Sequence, residues 1–345
     1  MKKSIIEKYD SLELEELNSI SSKMGKDKTL IQGPGGNTSL KEGNILLVKA
    51  SGKKLSEAKK ENIFVPINIK DIINKFNDHK SQDELKINPI DNIYLKPSIE
   101  TIFHAIMPHK IVLHSHSIEV IANTILPNIR ERLIPILKDY SWDYIPYARP
   151  GIPIAKLIQS SLKKKKSDVL ILGNHGLIVG ANSIKEADLL QKNIVNKLKL
   201  NRREFIFSKF NELDKLSKKI KGAKLPSNNI INSLAIDPWS FKLAQKNPAY
   251  PDHVVFCGKK PFVLDYKKLQ FNKNFKDQPY IIIPKIGVLI LTKNFFVIEA
   301  MLEAQAEIFL RLNPSNKIKL LSDSQCEELI SWEEEKYRKK LLEKR

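Results

Sequence analysis

The segment DVLILGNHGLIVG, residues 168–180, constrains the fold of this chain more strongly than any other stretch. Two apolar runs flank an Asn-His-Gly turn, which predicts a β-hairpin. Both runs are too apolar to lie at a surface, so the hairpin is expected to be buried. A second apolar run, KIVLHSHS at residues 110–117, predicts another buried strand. Strands alternate with helix-patterned segments along the chain, which predicts a mixed α/β fold.

The length of 345 residues allows one large domain or two ordinary ones. A helix from about 183 to 209 is expected to close the first region, and the lysine-rich, helix-patterned stretch at 210–225 indicates a boundary. We therefore predict an N-terminal domain over residues 1–222 and a C-terminal α/β extension over residues 223–345. Within the extension, HVVFCG at residues 253–258 reads as a short strand.

The formal net charge of +19 is expected to be mostly solvated surface, because only eight of the 58 basic residues are arginine. No arginine-rich arm or zinc-finger spacing points to a nucleic acid partner, whereas a phosphorylated small molecule would suit the positive field. The two cysteines, Cys257 and Cys326, belong to no motif and suit a reducing compartment. With no signal-peptide core and no apolar run long enough for a membrane span, we expect a cytoplasmic protein without a membrane partner.

Three histidines form the main candidate site. His114 and His116 lie two positions apart at the end of an apolar strand, so their side chains share one face. His175 occupies the tip of the predicted hairpin, where turn chemistry requires asparagine and glycine but not histidine. Together they offer three nitrogens, which is a common ligand set for catalytic zinc with an open position. The alternative is that the histidines cap strands and hydrogen-bond the main chain.

Glu100 is the fourth candidate. It follows KPS in the first turn of a helix whose predicted N-cap is Ser98, where an acid is favoured by the helix dipole in any protein. If it faces the metal instead, it can serve as the base that removes a substrate proton. His104, four residues later, lies on the same helix face and is expected to pair with Glu100.

Two turns rich in small residues, GPGGNTS at 33–39 and ASGKK at 50–54, present backbone N–H groups beside hydroxyl or amide side chains. Phosphate sites need such groups. The first turn matches neither standard nucleotide fingerprint, so plain tight turns are the alternative. Ser98 at a helix N-terminus would add another anion contact.

The motifs GGNTS, SG, PSIE, HSH and NHG, in this order, resemble those of the class II aldolase/adducin head-domain family over roughly residues 8–210. The resemblance implies a three-layer α/β/α sandwich around a mostly antiparallel central sheet, assembled as a homotetramer with sites at subunit interfaces. It implies that zinc, or another divalent metal, is bound by His114, His116 and His175. Glu100 falls on the acid/base of the family. The implied phosphate ligands are Asn37, Ser51, Gly52 and Ser98.

The function implied by this resemblance is zinc-dependent retro-aldol cleavage of a deoxyketose 1-phosphate to dihydroxyacetone phosphate and an aldehyde. Two alternatives stay open, a ketopentose-phosphate 4-epimerase of the same family and a non-catalytic, adducin-like scaffold. Several C-terminal segments, including MLEAQAEIF, resemble the aldolase half of rhamnulose-phosphate aldolase/dehydrogenase fusions, although no dehydrogenase half or dinucleotide fingerprint is expected here.

Two departures from the family pattern bear more on the predicted substrate than on the predicted metal site. Ile99 stands where the sugar aldolases have a second serine, so one phosphate hydroxyl is missing, and Lys53 or Lys96 is the expected substitute. The family also uses a tyrosine to protonate the departing aldehyde. The candidates for this role are Tyr140, Tyr144 and Tyr147.

Overall fold

The computed structural model describes residues 11–79, 85–90, 94–266, 275, 278–333 and 335–336. The chain divides into two compact units. The first comprises residues up to 120 together with 128–199, and the second comprises 121–127 together with the residues from 200 onward. The domain division at residue 222 stays a prediction. The part of the predicted C-terminal extension beyond residue 336 lies outside the described residues.

The first unit is built on a seven-stranded sheet. Its strands are β1 (Asn37–Glu42), β2 (Ile45–Lys49), β3 (Phe64–Asn68), β4 (Ile111–Ser115), β5 (Trp142–Ile145), β6 (Val169–Leu172) and β7 (Gly176–Ala181). Their order is β3-β2-β1-β4-β7-β6-β5. All neighbours are antiparallel except β5 and β6. The predicted α/β class with a mostly antiparallel sheet is confirmed, and the three-layer arrangement stays a prediction.

Helices connect and flank these strands. They are α1 (Ser11–Lys26), α2 (Ile69–Asp78), α3 (Thr101–Ile106), α5 (Ile129–Leu133), α6 (Ile152–Lys164) and α7 (Ile184–Lys197), while α4 (Ile118–Thr124) begins in the first unit and ends in the residues of the second. Helix α7 begins with a capping box in which Ser183 and Glu186 satisfy each other's main-chain N–H groups. The prediction that this helix continues to residue 209 is wrong. It ends at Lys197, and further along the Arg203 N–H bonds the Leu310 carbonyl, a long-range contact that the sequence pattern does not reveal.

The predicted hairpin at residues 168–180 is present as β6 and β7, and nearly all of it is buried. Val169 and Ile171 pack in one apolar cluster, whereas Leu170 and Leu172 pack in another. Alternate residues of a strand point to opposite faces, so both faces of this strand contact apolar side chains. That double burial explains the continuous apolar run.

The second unit contains a three-stranded sheet of β8 (Phe262–Val263), β9 (Tyr280–Ile283) and β10 (Gly287–Ile290), in the order β10-β9-β8. Its helices are α8 (Phe210–Lys219), α9 (Ser233–Ile236), α10 (Pro238–Ala244), α11 (Pro251–Cys257), α12 (Phe295–Leu310) and α13 (Asp323–Ser331). The strand predicted for HVVFCG is wrong, because residues 253–257 belong to α11, which ends before Gly258. Pro251 at its first position presets the helical φ and needs no hydrogen-bond acceptor there.

The hairpin of the second unit repeats the geometry of the hairpin in the first. Ile283 pairs with Gly287 across a three-residue turn, as Leu172 pairs with Gly176. In both sheets the first hairpin strand has a parallel neighbour on its other side. Ile286 occupies the turn position that corresponds to His175, so the second hairpin lacks the imidazole.

Cys257 and Cys326 are buried and not disulfide-bonded. Over the described ranges, no helix has the length and apolar character needed to cross a membrane. The cytoplasmic location stays a prediction.

Candidate metal centre

Strand pairing brings the three candidate histidines together. In the register of the sheet, His114 of β4 lies opposite Asn37 of β1 on one side and Ile178 of β7 on the other. His116 follows two residues later, and His175 lies in the turn directly before β7. Gly176 makes this approach possible, because a Cβ there would collide with the Ser115 carbonyl oxygen.

Glu100, His114, His116 and His175 form one cluster whose ligand atoms all lie within 4.8 Å of one another. The Nε2 atoms of His114 and His116 are 3.1 Å apart. Glu100 Oε1 lies 3.1 Å from His175 Nε2 and 3.5 Å from His114 Nε2. Ligands on a tetrahedral zinc ion are separated by about 3.4 Å, given metal–ligand bonds of about 2.0–2.2 Å. The spacing of these four atoms therefore fits a metal ion bound among them.

The hydrogen bonding of His114 is also that of a metal ligand. Its Nδ1–H donates to the Leu177 carbonyl oxygen at 3.0 Å, which leaves the lone pair on Nε2 facing the cluster. Metal-binding histidines commonly have this second hydrogen bond, which fixes the tautomer and the ring orientation. The cluster is buried, with the four residues between 0% and 5% exposed, so water competes little for these nitrogens.

The protonation states of His175 and Glu100 favour the binding of a cation. Burial lowers the pKa of His175 to about 4, against the opposing effect of Glu100, so the imidazole is neutral at neutral pH. Burial alone would raise the pKa of Glu100, but His114 and His175 hold that pKa well below its usual range. A carboxylate and a neutral imidazole are the forms in which these side chains bind metal ions.

Glu100 reaches the cluster from a turn that precedes the helix, not from within it. The N-cap prediction for Ser98 is wrong, because α3 begins at Thr101, after a turn closed by the Thr101 N–H and the Ser98 carbonyl at 3.0 Å. The turn places the Glu100 carboxylate beside Asn37, whose Nδ2 donates to Glu100 Oε2 at 2.5 Å. Asn37 therefore orients the acid in this structure.

His104 does not pair with Glu100. Its Nδ1 shares a hydrogen bond of 2.7 Å with the Ser39 hydroxyl. Burial lowers the pKa of His104 well below its usual range, so the ring is neutral and serves the packing of α3 against β1.

The remaining predicted phosphate ligands lie in two adjacent segments. Ala50 and Pro97 form an isolated β-bridge, and the Ser51 N–H donates to the Lys96 carbonyl at 2.8 Å. These contacts hold the turn at Ser51 and Gly52 beside Ser98. Lys53, one suggested replacement for the missing hydroxyl, instead binds Glu61 at 2.5 Å. No motif marks Lys49, yet its buried ammonium contacts both small-residue turns.

Two of the candidate tyrosines, Tyr144 and Tyr147, lie near the hairpin turn, and a Cβ on Gly173 would lie 2.9 Å from the Tyr147 main-chain N. A Cβ on Gly173 would lie 2.7 Å from the Tyr144 Oη, and Gly173 is two residues before His175. Burial raises the pKa of Tyr144. Its role as a proton donor stays a prediction.

Comparison with known proteins identifies a protein family for the first part of the chain. Residues 15–195 match the model of the Class II Aldolase and Adducin N-terminal domain. The chain is 30% identical over 181 residues to the uncharacterized oxidoreductase YuxG of Bacillus subtilis, covering 48% of this chain but only 26% of that protein. It is 28% identical over 186 residues to an L-fuculose phosphate aldolase of Methanococcus vannielii, covering 53% of this chain and 92% of the aldolase.

A solved structure is similar over the same region. The N-terminal class II aldolase domain of a conserved protein from Thermoplasma acidophilum shares 28% identity and has a TM-score of 0.46. The match covers 55% of this chain and 93% of that domain.

Proposed function

The chain belongs to the class II aldolase and adducin N-terminal domain family, and from that premise we propose that it is a zinc-dependent aldolase. The proposed reaction is the reversible cleavage of a deoxyketose 1-phosphate to dihydroxyacetone phosphate and an aldehyde. The observation that carries the proposal is the buried cluster of three imidazole nitrogens and one carboxylate, spaced as the ligands of a tetrahedral ion.

His114, His116 and His175 would hold the ion through Nε2. Three nitrogen donors and an open position suit zinc better than magnesium or calcium, which prefer oxygen ligands. A bound zinc ion supplies Lewis-acid stabilisation of the negative charge that develops on the substrate carbonyl oxygen when the carbon–carbon bond breaks.

Glu100 would be the acid/base. Its pKa is held low, so in the condensation direction the carboxylate could accept the proton that leaves dihydroxyacetone phosphate. In the cleavage direction the protonated acid would give that proton to the carbon from which the aldehyde departs, while the substrate hydroxyl that becomes the aldehyde carbonyl would lose its proton to solvent. The hydrogen bond from Asn37 to Oε2 fixes the carboxylate while Oε1 faces the histidines. One carboxylate oxygen is thus held by the protein, and the other is directed at the reaction site.

The phosphate would bind between the turns at residues 33–39 and 50–54 and the segment that carries Ser98. The Asn37 amide bonds Glu100 here, so a role with phosphate would require a shift of that contact. Ser51 would act through its hydroxyl, because its N–H is used by the Lys96 carbonyl. Gly52, with φ +73, adopts the left-handed conformation that favours glycine, and Ser98 would supply a second hydroxyl.

The substrate class is supported by the similarity to an L-fuculose phosphate aldolase along nearly its whole length. We further propose that the chain works as a homotetramer, which light scattering would test directly, and that its partner is a small phosphorylated sugar. A monomeric mass would count against an active site at a subunit interface.

A retro-aldol assay on a panel of ketose 1-phosphates, coupled to detection of dihydroxyacetone phosphate, tests the reaction. Release from a deoxyketose 1-phosphate such as fuculose or rhamnulose 1-phosphate, abolished in His114→Ala, is expected. Interconversion of pentulose 5-phosphates without release of a triose would favour the epimerase. A chain that binds no metal and turns over no panel member would leave the scaffold alternative.

A further inference from the structure

Glu100 reaches the histidine cluster from outside the sheet. His114 belongs to β4, His116 follows that strand, and His175 lies in the turn directly before β7. Glu100 comes instead from the turn before α3, so the direction of its carboxylate depends on where α3 lies against the sheet. The contacts that fix α3 on the sheet therefore also place the carboxylate.

Strand β1 holds the first turn of α3 through two buried hydrogen bonds. Asn37 Nδ2 donates to Glu100 Oε2 at 2.5 Å. Two residues further along the strand, and on the same face, the Ser39 hydroxyl shares a hydrogen bond of 2.7 Å with His104 Nδ1. Two residues of a strand span about 7 Å and four residues of a helix span about 6 Å. The strand and the helix thus advance in step, so both hydrogen bonds form together.

Lys41, the next residue on this face of β1, adds a third polar contact. Its Nζ donates to the carbonyl oxygens of Ala105 and Met107 at the end of α3. The side chains of Ile102 and Phe103 pack in two separate apolar clusters. Apolar contacts are not directional and tolerate small sliding movements, whereas hydrogen bonds weaken steeply when their geometry changes. The polar contacts therefore fix the position of α3 along β1.

The hydrogen bond of His104 distinguishes it from an ordinary packing residue. The residue is fully buried, and an apolar side chain would fill such a position at a smaller desolvation cost. What the imidazole adds is a directional contact with Ser39, one helical turn after Glu100.

We propose that Ser39 and His104 are positioning residues for Glu100, and this proposal rests on the proposed role of Glu100 as the acid/base. Their hydrogen bond fixes α3 along β1 and so keeps the Glu100 carboxylate against Asn37, with Oε1 toward His175. Neither residue takes part in the proton transfer.

Thr38 provides a matched control on the opposite face of the same strand. Its hydroxyl shares a hydrogen bond of 2.6 Å with the hydroxyl of Ser21 in α1. The neighbouring Leu40 packs in the apolar cluster that also contains Leu17 of α1. Thr38→Val therefore removes a buried hydrogen bond one residue away from Ser39, without removing a contact with α3.

The kinetic test compares Ser39→Ala, His104→Leu and Thr38→Val in the zinc-loaded protein. We expect the kcat for the ketose 1-phosphate to fall about 10- to 100-fold in the first two variants, because a misplacement of about 1 Å can cost that much. The KM and the zinc content should change by no more than about twofold, and Thr38→Val should match the wild type. His104→Asn, whose amide can meet the Ser39 hydroxyl near the position of Nδ1, should recover most of the lost kcat. In a Glu100→Gln background, Ser39→Ala should lower the kcat no further, because its effect passes through the carboxylate.

Urea unfolding at a fixed free zinc concentration separates this proposal from the proposed reaction, because it requires no turnover. If Ser39 helps to hold Glu100 against Asn37, the effects of Ser39→Ala and Asn37→Ala are not additive. The unfolding equilibrium constant of the double variant should be at least about fivefold smaller than the two single effects predict. Thr38 is adjacent to Asn37 in the chain but lies on the other face, so Thr38→Val and Asn37→Ala should be additive within about twofold.

This coupling would support the positioning role even if no ketose is cleaved, and Ser39→Ala covers the case in which His104→Leu does not fold. Additive effects of Ser39→Ala and Asn37→Ala, or equal coupling in the pair of Thr38→Val and Asn37→Ala, would overturn the proposal. In a protein that cleaves a ketose, an unchanged kcat in Ser39→Ala, or an undiminished effect in the Glu100→Gln background, would also overturn it.

Discussion

Gly176 gives a prediction that follows directly from the packing of the hairpin. A Cβ at this position would lie closer than 3.0 Å to the Ser115 carbonyl oxygen and 3.1 Å from the His116 Cα, whereas ordinary contacts are 3.4–4 Å. Both obstacles are main-chain atoms, so rotation of a side chain cannot relieve the collision. In Gly176→Ala the turn that carries His175 must move away from the strand that carries His114.

The size of that movement determines the effect on the metal. To reach ordinary contact with the Ser115 carbonyl oxygen the turn must shift by more than about 1 Å, whereas metal–ligand distances tolerate only about 0.2 Å. We therefore expect zinc affinity to fall about 10- to 100-fold, the range seen when ligands lose their proper orientation. Competition with a chromogenic chelator measures this affinity directly.

Gly43→Ala is the matched control. Gly43 has φ +55, and within the described part of the chain no atom lies within 4 Å of the position that a Cβ would take. Alanine there should therefore cost only about 1 kcal/mol of backbone strain. Urea unfolding should show that loss of stability, with zinc affinity unchanged. If Gly176→Ala binds zinc as tightly as the wild type, the close approach of the two chain segments does not hold the ligands in place.

Three further predictions concern the acid/base, a buried histidine and a helix cap. Glu100→Gln should retain zinc but lower kcat by about 10²- to 10⁴-fold in the retro-aldol assay; full turnover with zinc bound would exclude Glu100 as the acid/base. Burial lowers the pKa of His253 to about 4 from the 6.5 of an exposed imidazole, against a main-chain hydrogen bond with Met301. The imidazole of the unfolded chain therefore takes up a proton below pH 6.5 that the folded chain refuses until about pH 4, so His253 alone should lower the stability by about 2 kcal/mol between pH 7 and pH 5. Urea unfolding at both pH values should show a smaller loss of unfolding free energy in His253→Gln than in the wild type. An equal loss in both proteins would show that the lowered pKa of His253 is not the cause. Ser183→Ala should cost about 1 kcal/mol of unfolding free energy by removing the cap of α7, without changing zinc content, and no measurable loss would show that the cap is not stabilising.

The sequence predicts the centre of the first unit well because its signals are local. The apolar runs on both sides of Asn174 predict β6 and β7, and the spacing of His114 and His116 predicts that they share a face. Helix α11 shows where prediction from local sequence signals fails. Its short run of valine and phenylalanine is compatible with either a strand or a helix, and only the surrounding packing decides.

Contacts between distant segments could not be predicted in the same way. The hydrogen bond from Asn37 to Glu100 joins residues 63 positions apart, and it depends on where the turn before α3 directs the carboxylate. Lys49 was missed for a related reason. A lysine at the end of an apolar strand is typical of a side chain that reaches solvent, and nothing in the sequence shows that two turns close over it.

The second hairpin illustrates the same limit at the level of whole elements. The strands β9 and β10 repeat the pairing of β6 and β7, but their sequences share little beyond apolar character and the glycine that starts the second strand. Asn174 and Lys285 both adopt positive φ, at 51° and 64°. Similar turn geometry is therefore formed by different residues, and only the histidine at position 175 distinguishes the turn with a candidate metal ligand.

The most direct test of the account is a zinc titration of the metal-stripped protein, followed by the release of dihydroxyacetone phosphate from a ketose 1-phosphate that the wild type cleaves. We expect no activity in the stripped protein, a linear rise as zinc is added, and saturation at about one zinc per chain. His175→Ala should show no such saturation at stoichiometric zinc. Full activity in the stripped protein, or zinc-dependent activity that persists unchanged in His175→Ala, would contradict the assignment of this cluster as the catalytic metal centre.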